Sequence, residues 1–172
     1  MKRRRLTFAT LLVLVLSSAY IVSFGQNPTD SFPRDPGSIS VYTIQNMSFG
    51  AFSPGSTGGT ISISTGGVRS STGSVVPLNM GMQYFQANFE IEAPVGSIIS
   101  FLNGPDATLT GSNGGSMSLH VSASYPLAPF STSVIPPGRT LISFGGTLTV
   151  GNSLSTLPGK YTGTFSIIFN QE

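Results

Sequence analysis

No cysteine and no tryptophan occur among the 172 residues, histidine appears once, and charged side chains make up only 8% of the chain. Each shortage removes a class of function. Without cysteine there is no disulfide, no thiolate nucleophile and no lipid-bearing cysteine, so an exported chain of this composition relies on its core. One histidine can hardly supply a zinc site on its own. Missing tryptophan leaves tyrosine as the main source of the flat rings on which sugars stack. Amphipathic helical runs are also missing after residue 25, which argues against βαβ units and a parallel sheet.

The basic residues are unevenly placed. Lys2, Arg3, Arg4 and Arg5 precede an apolar run from Leu6 to Leu16, and small residues follow at Ser17-Ser18-Ala19 and Ser23-Phe24-Gly25. This is the pattern of a secretory signal peptide. A cut after Gly25 is favoured over one after Ala19, because the composition turns polar and proline-rich there. An uncleaved anchor is the alternative, and the short strongly apolar part weighs against it. Beyond residue 25, Arg34, Arg69, Arg139 and Lys160 stand against Asp30, Asp35, Glu90, Glu92, Asp106 and Glu172, a net charge of −2. The mature chain therefore has no basic stripe for nucleic acid. It is expected in the periplasm, on the outer surface or outside the cell, with no membrane segment of its own.

Three regions are expected: 1–25 as the signal peptide, 26–37 as a polar arm with Pro28, Pro33 and Pro36, and 38–172 as one domain. A domain of this size buries roughly 68–70% of its unfolded surface. Alternation of period two runs through it. Ile61 and Ile63 point one way. In a predicted strand over Gln83–Ala93, Phe85, Ala87, Phe89, Ile91 and Ala93 share a face. Met117, Leu119, Val121 and Ala123 do so in Ser116–Ser124. Ile142, Phe144, Leu148 and Val150 do so in Leu141–Val150, and Tyr161, Gly163, Phe165, Ile167 and Phe169 in Lys160–Asn170. The apolar parity of Ile39–Phe52 switches midway, which predicts a bulge or a passage from one sheet to the other at a sandwich edge. Asn103-Gly104-Pro105 marks a turn, and Pro126–Gly138 a long loop or ragged edge strand. Eight or nine short strands without a helix predict an all-β antiparallel sandwich or barrel.

An ordered set of motifs runs through that domain. Met47-Ser48-Phe49-Gly50 is followed by Gly58-Gly59-Thr60 and Gly66-Gly67-Val68-Arg69. Then come Leu109-Thr110-Gly111, the stretch Gly145–Gly151, and Gly159-Lys160-Tyr161-Thr162-Gly163-Thr164-Phe165-Ser166-Ile167. Over residues 39 to 170 this order resembles the bacterial family catalogued as domain of unknown function 4402. The resemblance implies an exported, immunoglobulin-like sandwich from a Gram-negative bacterium, with no established activity. The ending is also similar to the last strand of fimbrial subunits and spore-coat U-like proteins, which are structural or adhesive. Unlike usher-assembled pilins, the chain has no cysteine pair, and its arm lacks the apolar alternation of a donor strand.

Candidate chemistry is sparse. Glu90 and Glu92 lie on one strand face, roughly 7 Å apart at twice the strand rise, and paired carboxylates can hydrolyse glycosides. A solvated pair is the reading adopted. His120, flanked by Ser118 and Ser122, lacks a nucleophile elbow and is read as solvent-facing. Asn103, Asp106, Asp30 and Asp35 do not form a calcium-ligand series and are read as turn formers. Tyr42, Tyr84 and Tyr125 are candidate surface contacts, and Phe130 the candidate exposed apolar contact. No catalytic, cofactor or metal residue is assigned. The expected function is that of a non-enzymatic surface component, fimbria-like or adhesive, meeting like subunits or other surface proteins through edge strands. Lys160–Asn170 and Ile39–Phe49 are the expected edges. A self-contained ligand- or carbohydrate-binding module is the alternative.

Overall fold

The computed structural model describes residues 37–172. The expected signal peptide and residues 26–36 of the arm lie outside the described residues. Every element is a strand, and no helix occurs among the described residues. The first eight are β1 (Ser40–Gln45), β2 (Ser48–Phe49), β3 (Phe52–Ser53), β4 (Gly59–Ile63), β5 (Arg69–Gly73), β6 (Val76–Pro77), β7 (Tyr84–Phe85) and β8 (Ala87–Glu92). There follow β9 (Ile98–Asn103), β10 (Ala107–Gly111), β11 (Ser116–Tyr125), β12 (Phe130–Ser131), β13 (Thr140–Val150), β14 (Tyr161–Thr162) and β15 (Ile167–Gln171). All strand pairings are antiparallel.

The main sheet runs β1-β8-β13-β11-β10-β14, and a second sheet runs β12-β9-β15. The fold is a β-sandwich built around β13. Thr140–Phe144 of this strand pairs with β8, whereas Gly146–Val150 pairs with β4, and β11 follows its other edge. The two neighbours part company at Gly145. A Cβ at Gly145 would lie 2.7 Å from the Ile63 carbonyl oxygen, so only glycine permits this approach. Across the ladder, β11 carries a bulge between Val121 and Ala123. The paired irregularities bend the sheet, as bulges at sandwich corners do.

The apolar alternation read from β13 holds: Ile142, Phe144, Leu148 and Val150 are all buried, as are Ile61, Ile63, Met117, Leu119 and Val121. Ala123 was expected inward but is exposed, because the bulge at Ser122 reverses the parity after it. The predicted Gln83–Ala93 strand divides at Gln86 into β7 and β8. Phe85 therefore faces outward, at 40% exposure, since β7 pairs with β2 instead of continuing in the main sheet. The bulge predicted in the first strand lies between Thr43 and Gln45.

Four rings join the two layers. Phe144 packs edge-on against Phe101 at 4.9 Å, Phe89 at 5.7 Å and Phe169 at 6.1 Å between centroids. Phe89 and Phe144 belong to the main sheet and Phe101 and Phe169 to the second, so the cluster is the inter-sheet core. Each such pair adds about 0.5–1.5 kcal/mol beyond its buried area.

The predicted last strand, Lys160–Asn170, is likewise two strands. β14 pairs with β10 in the main sheet, and β15 pairs with β9 in the second. β9 and β10 make the same transfer through Gly104–Asp106, so Asn103-Gly104-Pro105 turns the chain between layers and does not close a hairpin. The two crossings are tied by the Gly104 N–H donating to the Ser166 carbonyl at 2.9 Å.

Candidate functional site

Among the described residues the main sheet branches at β13 and ends at β1, β14 and β5. Both predicted edge segments are therefore edges. They flank a groove of about 1110 Å³. Thr43 and Asn46–Phe49 form one wall and Thr156–Phe165 the other, while Leu109, Met117, Leu119 and Leu148 reach its floor. Met47, Met80, Met82 and Met117 all line it, and these are all the methionines of the described residues. The only charged side chain in the lining is Lys160.

Two residues build the rims. Arg69, reached through the glycine turn Gly66-Gly67, donates from Nη1 to the carbonyls of Phe49 (3.1 Å) and Ala51 (3.2 Å), and from Nη2 to that of Leu78 (3.4 Å). Its guanidinium also covers the Tyr84 ring at 4.3 Å. One cation thus gathers three separate segments into one rim. On the opposite rim the Tyr161 hydroxyl donates to the Leu157 carbonyl at 2.8 Å and holds the 151–160 loop against the last strand. Gly111 makes room for the ring, since a Cβ there would lie 2.7 Å from Tyr161 Cζ. The Leu109-Thr110-Gly111 and Gly159-Lys160-Tyr161 motifs are thus two halves of one contact. The motif residues were visible in the sequence, but the groove between them was not.

The chemistry-bearing residues lie elsewhere and apart. Glu90 and Glu92 do share the outer face of β8, where Arg139 meets both, Nη1 to Glu90 Oε2 at 3.2 Å and Nε to Glu92 Oε2 at 3.6 Å. The hydrogen bond that Arg139 donates to Glu90 is the main cause that raises the Arg139 pKa, opposed by desolvation. The Arg139 guanidinium stacks on Tyr42 at 3.7 Å, and the Tyr42 hydroxyl donates to Glu92 at 3.4 Å. This cluster is a surface clamp of β1 on β8. His120 is solvent-facing, as expected, and its Nδ1 lies 2.7 Å from Oδ1 of Asp106, the residue before the neighbouring strand β10. Asp106 was not foreseen as its partner.

Of the tyrosines, Tyr42 and Tyr84 each have a guanidinium over one ring face, and Tyr125 is 71% exposed. Phe130, expected as an exposed apolar contact, is half-buried and packs on the core, because β12 pairs with β9 at Ile99. Leu127, Val134 and Ile135 are the exposed apolar residues of that loop instead. Asn103 is engaged with the Val121 carbonyl. Asp30 and Asp35 lie outside the described residues. Among the described residues no group of three or more His, Cys, Asp or Glu side chains comes together as a metal site.

The family described as domain of unknown function (DUF4402) matches residues 39–170. No curated protein and no solved structure matches the chain.

Proposed function

Since the chain belongs to the family described as domain of unknown function (DUF4402), we propose that it is an exported, non-enzymatic β-sandwich serving as a structural or adhesive component of the cell surface. The observation that carries this reading is the open main sheet, in which β1 and β14 lie on either side of an apolar groove. Unpaired sheet edges recruit other chains by strand pairing, and natural proteins leave them open where they are used. The basic and apolar pattern of residues 2–25 supports export. The Glu90–Glu92 pair held by Arg139 and the isolated His120–Asp106 pair support a non-catalytic role, because neither is joined by an activated nucleophile in a cleft. Like subunits and other surface proteins are the partners of this reading.

Two measurements test it. Surface proteolysis of intact cells should cleave the protein while periplasmic markers survive. Size-exclusion of the purified protein at rising concentration should show association; a persistent monomer that protease never reaches would overturn the reading.

The size of the groove supports a second reading, a self-contained ligand-binding module. Its lining suits an apolar ligand better than a sugar, since Tyr161 is its one tyrosine and four methionines line it. A glycan array without hits would remove the carbohydrate form of it.

A further inference from the structure

All the sulfur of the described residues borders one groove: Met47, Met80, Met82 and Met117 line it, and there is no cysteine. Their settings differ. Met117 is 4% exposed on the floor, and Met47 is half-buried with its sulfur against Gly146. Met80 and Met82 stand in water, at 70% and 67%. Isolated exposed apolar side chains need no account, but two on one bend, a residue apart, are not isolated. The bend is tethered at both ends to the segment that follows Met47. The Leu78 N–H donates to the Ala51 carbonyl at 2.9 Å, and the Ser48 hydroxyl donates to the Gln83 carbonyl at 2.9 Å. Between the two methionines Gly81 has a φ of +76°, and nothing lies within 4 Å of where its Cβ would stand. Met80 and Met82 are thus held at the rim beside an open approach.

A thioether is a soft, uncharged donor that suits Cu(I), whereas zinc, calcium and magnesium look for thiolate, imidazole or oxygen anions. Among the described residues the groove lining has no carboxylate, histidine or cysteine, and its one charge, Lys160, is positive. A divalent ion would find no counter-charge there; a monovalent one asks for less. We propose that Met80 and Met82, joined by Met47, bind a soft monovalent metal ion of the Cu(I) and Ag(I) class at the rim of the groove. Three rotatable bonds on each unbranched side chain let the sulfurs close on the ion without a preset geometry. Met117 stays on the floor as packing. Thiolate, imidazole and carboxylate ligands must shed a proton to bind, and a thioether has none to shed, so the site holds its ion from acid to neutral pH. His120, the sole imidazole, is paired with Asp106 and lies outside the lining. On an exported chain such a site intercepts the ion outside the cytoplasm, but its chemistry does not depend on export.

The test titrates Ag(I), which shares the charge and softness of Cu(I) without its redox chemistry, into the whole protein carrying isotope-labelled methionine methyl groups. In chloride-free buffer the Met80, Met82 and Met47 methyl resonances should shift together and saturate at one ion per chain, while Met117 stays in place. Cu(I) held reduced by ascorbate should move the same three, and Zn(II) or Ca(II) none. Bound ion should also slow peroxide oxidation of Met80 and Met82 to sulfoxides, read by peptide mass spectrometry. Leucine keeps the size and removes only the sulfur, so Met80→Leu with Met82→Leu should weaken binding at least about tenfold with the melting temperature unchanged. His120→Ala should leave binding as it was. No shift, equal movement of all four methyl groups, an equal response to Zn(II), or loss of binding in His120→Ala would each overturn the proposal. So would undiminished affinity in the double leucine variant.

Discussion

Asn103 donates its side-chain N–H to the carbonyl oxygen of Val121 at 2.8 Å. The bond links the end of β9, in the second sheet, to β11 at its bulge in the main one. A bulge leaves part of a ladder unmatched, and a side chain from the other layer answers it. Removing a half-buried donor of this kind costs about 1–3 kcal/mol. Asn103→Ala should lower the stability by that amount in urea titration, whereas Asn113→Ala, whose bond to the Pro158 carbonyl is exposed, should cost less.

Gly145 and Gly146 are adjacent and yet should respond differently to alanine. The Cβ at Gly145 meets the backbone oxygen of Ile63 at 2.7 Å, and backbone cannot move aside. At Gly146 it meets the Met47 sulfur at 2.9 Å and Leu119 Cδ1 at 3.1 Å, both ends of flexible side chains. Overpacking costs about 1–3 kcal/mol, so Gly145→Ala should fall at the upper end and Gly146→Ala at the lower. Thermal unfolding of the two variants checks the order.

Phe144 is fully buried and touches three rings from both layers. Phe144→Ala should cost about 3–5 kcal/mol, from lost transfer energy and the cavity left behind. Phe144→Leu should cost clearly less. Chemical denaturation with an unchanged m-value would show that the loss is in the folded state.

Arg69 acts locally. Its loss removes three charge-assisted bonds to carbonyls, each worth about 1.5–3 kcal/mol before solvent screening. Because these bonds gather a rim and not the core, Arg69→Met should speed amide exchange at 49–51 and 78–85 more than it lowers the melting temperature. Lysine should not rescue it, since one ammonium cannot reproduce the forked geometry.

The outer clamp should prove dispensable. Glu90→Gln and His120→Ala each break an exposed pair, and such pairs contribute roughly 0–1 kcal/mol. Melting temperatures should stay within a degree or two of the parent, and salt should erase what difference there is.

How far the sequence reaches follows from what each residue depends on. Alternation along one strand is a local property, so the inward faces of β4 and β13 were readable from Ile61, Ile63, Ile142 and Leu148. Partnership is not local. Nothing near Phe85 reveals that β7 leaves β8 to pair with β2, nor does anything near Ser122 reveal a bulge that turns Ala123 outward. The parity switch in β1 was legible because the apolar pattern itself records it. The groove is the least legible feature. It exists only where segments more than a hundred residues apart meet, and its walls are made of backbone that carries no side-chain signature.

The double crossing of the last strand has a consequence for biosynthesis. Tyr161 to Gln171 supplies an edge to both layers, so neither layer is finished while those residues remain in the ribosome. Both layers therefore wait on the same short segment, and a chain cut before Tyr161 would leave both frayed together.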